Sequence, residues 1–122
     1  MAKLKHLAIA CDDPEQTVRF YREVFDFEVL QTVDEPGLSG YVISDGTLSV
    51  SILKFRDAPE VGTPRVDHVG FEVDDPDDAG RKIIAAGGAV RPDLGKIKFA
   101  SPDGFVFDLA WVGAWNTEPA GT

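Results

Sequence analysis

Residues 4–14 read Leu-Lys-His-Leu-Ala-Ile-Ala-Cys-Asp-Asp-Pro, and residues 66–76 read Val-Asp-His-Val-Gly-Phe-Glu-Val-Asp-Asp-Pro. The blocks align without a gap at an offset of 62 residues. Each is an apolar stretch with a histidine near its start and Asp-Asp-Pro at its end. Two copies are too few for a solenoid, so they indicate a duplicated module whose halves pack on each other.

Outward from each block the same plan unfolds. Leu4–Cys11 has strand character. Asp13 then offers an N-cap oxygen and Pro14 suits the first helical position. Val18, Tyr21 and Phe25, with Phe20 and Val24, fall at helical spacing and predict one buried face, ending at Asp26. Strands are expected at Phe27–Thr32, Gly40–Ser44 and Leu48–Phe55, broken by Pro36-Gly37 and Asp45-Gly46. In the second copy Val66–Val73 is a strand and Asp75-Pro76 opens a helix. Ala79, Ile83 and Ala86 line that helix's expected buried face, and Gly87-Gly88 caps it. Short strands near Ala89–Arg91 and Lys96–Ala100, the turn Pro102-Asp103-Gly104 and a last strand Phe105–Val112 complete the chain. The fold class is α+β, with two tandem βαβββ modules in one domain. Module one covers 3–55, a linker 56–64, module two 65–112 and a polar tail 113–122, which Trp115 could pin.

Strand alternation assigns faces. His6 shares a face with Leu4, Ala8 and Ala10. His68 shares one with Val66, Gly70 and Glu72. Bulky residues on the opposite faces are expected under the helices, leaving the histidine faces open where Ala8 and Gly70 make room. In the last strand Asp108 is a lone charge between Val106 and Ala110. A carboxylate removed from water needs a partner. The chain's two histidines hold equivalent repeat positions, and two imidazoles with one carboxylate suit a divalent iron, manganese, zinc or nickel ion. Alternatives are that Asp108 bonds backbone amides or Tyr41, and that Glu72, otherwise a rim charge, is the carboxylate involved.

Bulk properties bound the function. At 122 residues, 43% hydrophobic and 27% charged, the chain suits a globular domain able to bury a core. A formal net charge of −9 repels phosphate backbones and anionic lipid, so neither nucleic acid nor membrane is an expected partner. The opening residues lack the apolar stretch of a leader, so a cytoplasmic location is expected. The single cysteine, Cys11, excludes an internal disulfide and reads as a small buried apolar residue.

These pieces resemble the vicinal-oxygen-chelate superfamily, which includes glyoxalase I, extradiol dioxygenases, fosfomycin resistance enzymes, methylmalonyl-CoA epimerase and bleomycin resistance proteins. The resemblance rests on His6-Leu-Ala-Ile, the stretch Asp13–Phe25, the strand His68–Asp74 and the closing Ser101-Pro-Asp-Gly-Phe-Val-Phe-Asp-Leu109. It implies a curved mixed sheet around a central cavity, with His6 and His68 as first- and fifth-strand metal ligands. Asp108 stands where the family usually carries glutamate. In the fourth strand Ser51 lies nearest the ligand position, so the chain is closer to the three-ligand members than to glyoxalase I or the epimerase. The implied function is a metal-dependent enzyme, a lyase, isomerase or ring-cleaving dioxygenase, acting on a small organic molecule with two vicinal oxygens. The alternatives are a metal-free binding protein of the bleomycin resistance type and a fosfomycin-type transferase, the latter disfavoured for want of an evident cationic pocket. With both histidines committed as ligands, acid–base work falls to Tyr41, Glu72 or metal-bound hydroxide. Lys96 and Lys98 share one face of the seventh strand, where they could attract an anionic substrate; they read rather as solvated edge lysines that block strand-to-strand aggregation. A homodimer is expected.

Overall fold

A computed structural model describes residues 2–57, 62–92 and 98–118. Among these residues the chain forms eight strands and two helices: β1 (Lys3–Ala10), α1 (Pro14–Phe25), β2 (Glu28–Glu35), β3 (Leu38–Ser44), β4 (Ser49–Phe55), β5 (Arg65–Val73), α2 (Pro76–Ala85), β6 (Ala89–Arg91), β7 (Lys98–Ala100) and β8 (Val106–Trp111). The βαβββ order therefore occurs twice. No described helix is long and apolar enough to cross a membrane. Part of the expected linker, residues 58–61, and Lys96 of the expected seventh strand lie outside the described residues.

The chain divides into two compact units. One holds the described residues of 6–67 together with 116–118; the other holds 2–5 and 68–115. In the first, β1 runs parallel to β4, while β3 is antiparallel to both β4 and β2. Asp13 caps α1, its carboxylate accepting from the Gln16 amide at 3.2 Å. Asp26 ends it in the left-handed conformation at φ 60°. Cys11, Val18, Ile43, Val50 and Ile52 form the core, with Leu7, Ile9, Tyr21, Phe27 and Tyr41 packed against it. Cys11 is thus the small buried residue expected, and burial pushes its thiol up from the ordinary range. The predicted helix stripe is too wide: Phe20, Val24 and Phe25 are exposed. The strands under α1 reach Val18 and Tyr21. Val24 and Phe20 lie roughly 60° and 100° beyond Tyr21 around the helix, while Phe25 shares the face of Val18 but is the last residue of α1. Gly40 is obligatory, because a Cβ there would stand 1.8 Å from the Ile52 carbonyl oxygen. The tail is held by Ser44, whose hydroxyl donates to the Thr117 carbonyl at 2.7 Å.

In the second unit β5 is parallel to β8, β8 antiparallel to β7, and β7 antiparallel to β6. The Asp75 carboxylate accepts from the amides of Asp77 and Asp78, both at 3.1 Å. Past Ala86 the Gly88 amide donates to Ile83 O and the Gly87 amide to Ile84 O. That pair of bonds is a Schellman cap, with Gly87 at φ 93° supplying the left-handed residue it needs. Phe71, Phe99 and Phe107 pack as an aromatic group, Phe107 meeting Phe71 edge-on and Phe99 stacked. Gly80 brings α2 close over the Phe99 ring. No α2 residue is fully buried and Ala86 is exposed, so this helix covers its strands less completely than expected. Trp111, at the end of β8, is 66% exposed.

Candidate functional site

The alternation that packs Phe71 against Phe107 turns the intervening residues to the opposite face. There Gly70 stands beside Asp108 in the β5–β8 register, and Glu72 beside Ala110. A tight turn fixes the start of β8. The Gly104 amide donates to Ser101 O at 2.8 Å, the Ser101 amide to Phe105 O at 3.0 Å and the Phe105 amide to Ser101 Oγ at 3.1 Å. Across this hairpin Phe99 faces Phe107. One step further from the turn, Lys98 comes opposite Asp108.

The side chains meet accordingly. His68 Nε2 lies 3.1 Å from Asp108 Oδ2. Lys98 Nζ lies 2.5 Å from Asp108 Oδ1. The His68, Lys98 and Asp108 side chains keep only 10%, 15% and 20% of their surfaces exposed. Burial alone would raise the Asp108 carboxyl, but the hydrogen bonds and positive charges of His68 and Lys98 override it and hold it at about 2. Asp108 thus pairs with His68 and Lys98, while Tyr41, one of the alternatives expected for it, donates to Glu15. Two expectations are corrected here. Lys98 is no solvated edge lysine but the cation paired with Asp108. Glu72 is no rim charge: it is 5% exposed, on the His68 face. Hairpin symmetry about Asp103 would have revealed the Lys98–Asp108 pairing in the sequence.

His6 belongs to the other unit. It is 7% exposed and sits opposite Ser49 in the β1–β4 register, with Ala8 opposite Ser51. Leu7 and Ile9 pack into the α1 core, so His6 and Ala8 take the face away from the helix. Tyr41 does not share that face. It packs with the α1 core, and its hydroxyl donates to Glu15 Oε1 at 3.4 Å. Burial and the Glu15 carboxylate push its phenol up. It borders an open groove of about 730 Å³ between α1 and β2, lined also by Glu15, Arg22, Glu23 and Glu28.

The repeat gives these registers a direct comparison. Gly70 is the counterpart of Ala8 at the 62-residue offset. Gly70 pairs with Asp108 and Ala8 with Ser51, so Ser51 is the first module's equivalent of Asp108. Its β3 neighbour is Val42, where the second module has Lys98.

The His68–Asp108 pair fits a metal ion. Two donors each about 2.1 Å from a common ion and 3.1 Å apart subtend roughly 95°, within the range of divalent coordination. Imidazole nitrogen and carboxylate oxygen are also the donors that iron, manganese, zinc and nickel accept.

Comparison with known proteins agrees with this layout. Residues 3–110 match the family model described as Glyoxalase/Bleomycin resistance protein/Dioxygenase superfamily. No curated protein matches the chain by sequence. Among solved structures, a methylmalonyl-CoA epimerase in complex with methylmalonyl-CoA and NH4+ is similar at 23% identity and a TM-score of 0.74, over 98% of this chain and 99% of that one. A single-residue variant of the Streptomyces coelicolor methylmalonyl-CoA epimerase, in complex with 2-nitronate-propionyl-CoA, is similar at 23% identity and a TM-score of 0.72, over 95% and 98%. A hypothetical protein, BH1468 from Bacillus halodurans C-125, is similar at 15% identity and a TM-score of 0.73, over 94% and 99%. At these identities the likeness is one of fold. With the duplicated βαβββ order and the family match over nearly its whole length, the chain belongs to the Glyoxalase/Bleomycin resistance protein/Dioxygenase superfamily.

Proposed function

We propose that this chain is a metal-dependent isomerase or lyase acting on a small organic molecule with two neighbouring oxygens. The observation that carries the reading is the His68–Asp108 contact, 3.1 Å between donor atoms on a largely buried face. In this proposal His6, the repeat counterpart of His68, is the third ligand. A bound divalent ion would act as a Lewis acid, stabilising the enolate or oxyanion that the substrate develops.

The chain's own residues do the rest. To hold the ion, His68 would present Nε2 as a lone pair with its proton on Nδ1, in place of the hydrogen bond that nitrogen makes to Asp108. Asp108 presents Oδ2. Gly70, between His68 and Glu72 on the same strand face, leaves side-chain space for the substrate. Glu72 is the candidate proton carrier, since neither histidine is free for that work and Tyr41 lies on the α1 side of its sheet. A carboxylate in this position favours proton transfer at carbon over ring cleavage, and epimerases are among the proteins sharing the fold. The proposed active form is a homodimer: Phe105, Trp111 and Val112 leave exposed apolar surface at both ends of β8.

The test is metal content of protein purified without a metal-binding tag, for the wild type and for His6→Ala, His68→Ala and Asp108→Ala. About one equivalent per chain in the wild type, lost in the variants, is expected. No metal after incubation with each candidate ion refutes the reading. A second reading, a metal-free small-molecule binder, is favoured by one observation: Lys98 already supplies a cation to Asp108.

A further inference from the structure

Asp108 divides its two oxygens between two different partners. Oδ2 faces His68 Nε2 at 3.1 Å, and Oδ1 faces Lys98 Nζ at 2.5 Å. We propose that Lys98 is the site's charge-setting residue: it stays on Oδ1, leaves only Oδ2 for the metal, and makes the ligand set electrically neutral so that the loaded site selects an anionic substrate. The inference rests on the metal reading above and deepens it.

The chemistry follows from the contacts. A carboxylate pinned through one oxygen by an ammonium binds an ion through the other oxygen only. Two neutral imidazoles, one carboxylate and one ammonium sum to no net charge. Even with Glu72, on the same strand face as His68, counted as a carboxylate, a divalent ion leaves the site a net positive charge where the substrate docks, and without Lys98 it would not. Metal affinity falls, because the carboxylate's negative charge is shared with the ammonium. Lewis acidity and attraction for an anionic chelator rise for the same reason. The substrate class is thereby narrowed to small molecules whose paired oxygens carry negative charge, such as a 2-hydroxy or 2-oxo acid or an enolate-forming dicarbonyl.

Placement excludes a merely solvating role for this lysine. Its side chain is 15% exposed, and it reaches Asp108 directly across the hairpin rather than from a mobile loop. Its pairing with Asp108 is what sequence reading missed at this site.

The experiment uses cobalt(II) as the metal probe and oxalate as the anionic chelating probe, on wild type, Lys98→Met, Lys98→Gln and Lys98→Arg. Gln keeps a hydrogen-bond donor for Oδ1 without the charge, so it reports on charge even where Met disturbs folding. Cobalt affinity is read by chelator competition and oxalate binding by the visible spectrum of the loaded site. The neutral variants are expected to bind cobalt at least tenfold tighter and oxalate at least tenfold weaker, with Arg close to wild type on both counts. Cobalt and oxalate affinities unchanged in Lys98→Gln overturn the inference and leave the metal reading intact. So does weaker cobalt binding in that variant. Cobalt bound by Lys98→Gln but not by wild type supports the charge role and overturns the proposal that the native chain works with a metal. No cobalt in either overturns both.

Discussion

Replacing Asp108 with alanine in chelator-treated protein tests whether the Lys98–Asp108–His68 cluster is built as the structure shows. The substitution leaves the Lys98 ammonium and the His68 imidazole with 15% and 10% of their side chains exposed and no carboxylate between them. Removing one partner of a buried ion pair costs about 3–5 kcal/mol. Water reaching the residual exposed surface lowers that to about 2–4 kcal/mol here. The carboxyl itself gives an independent estimate. It is held at about 2 against an ordinary value of 3.8, a difference that corresponds to about 2 kcal/mol. The sign is that of a depressed acid. The stabilisation is complete above the unfolded value near 3.8 and is lost as pH falls through about 2, because the unfolded chain takes up the proton first. Urea denaturation of wild type and variant at about pH 7 and about pH 3 checks this. The gap should be about 2–4 kcal/mol at the higher pH and shrink by about 1 kcal/mol at the lower. A variant within about 0.5 kcal/mol of wild type at neutral pH, with no change in the gap, would refute the cluster.

Three further substitutions probe the first unit. Gly40→Ala drives a Cβ to within 1.8 Å of the Ile52 carbonyl oxygen at φ 153°, and should cost at least about 3 kcal/mol or prevent accumulation of folded protein, as read by denaturant unfolding. Ile52→Ala empties a fully buried site in the α1 core and should cost about 2–5 kcal/mol. Phe20→Ala, at a residue 53% exposed, should stay within about 1 kcal/mol of wild type. Equal losses at Ile52 and Phe20 would show that the α1 stripe is as wide as its helical spacing predicts.

Much of the fold was legible because strand alternation is a strict rule. Leu7 and Ile9, Val50 and Ile52 could be placed on helix-facing sides by counting alone, and all four do pack with the α1 core. The 62-residue repeat then placed both histidines on comparable positions of β1 and β5. Helical spacing is a looser rule. It groups Phe20 and Val24 with Val18, but the width and length of the covered stripe depend on what packs opposite, which a single segment does not encode. Exposure of Glu72 failed for a related reason: alternation gives the face of a side chain, not how much surrounds it. Lys98 was different, since pairing outward from the Pro102-Asp103-Gly104 turn would have set it against Asp108. Reading the lysine by its strand's edge, and not by its hairpin partner, hid the contact.

The duplicated module also bears on why these charges are present. In the first module the equivalent places across the sheet are Val42, Ser51 and Ala8; in the second they are Lys98, Asp108 and Gly70. The same βαβββ framework thus forms with an uncharged set. A buried ion pair contributes little net stability compared with well-packed uncharged residues of similar size, so folding gives no reason to prefer the charged version. Glu72 adds a further largely buried carboxylate where the first module has Ala10. Charge has been concentrated on one face of one module, against the desolvation it costs there. A structural role for Lys98 and Asp108 would be met by restoring the first module's pair. Lys98→Val with Asp108→Ser should therefore leave the fold and its stability close to wild type while abolishing metal binding, separating what the framework needs from what the site needs. A double variant that fails to fold would mean the framework itself depends on the charges.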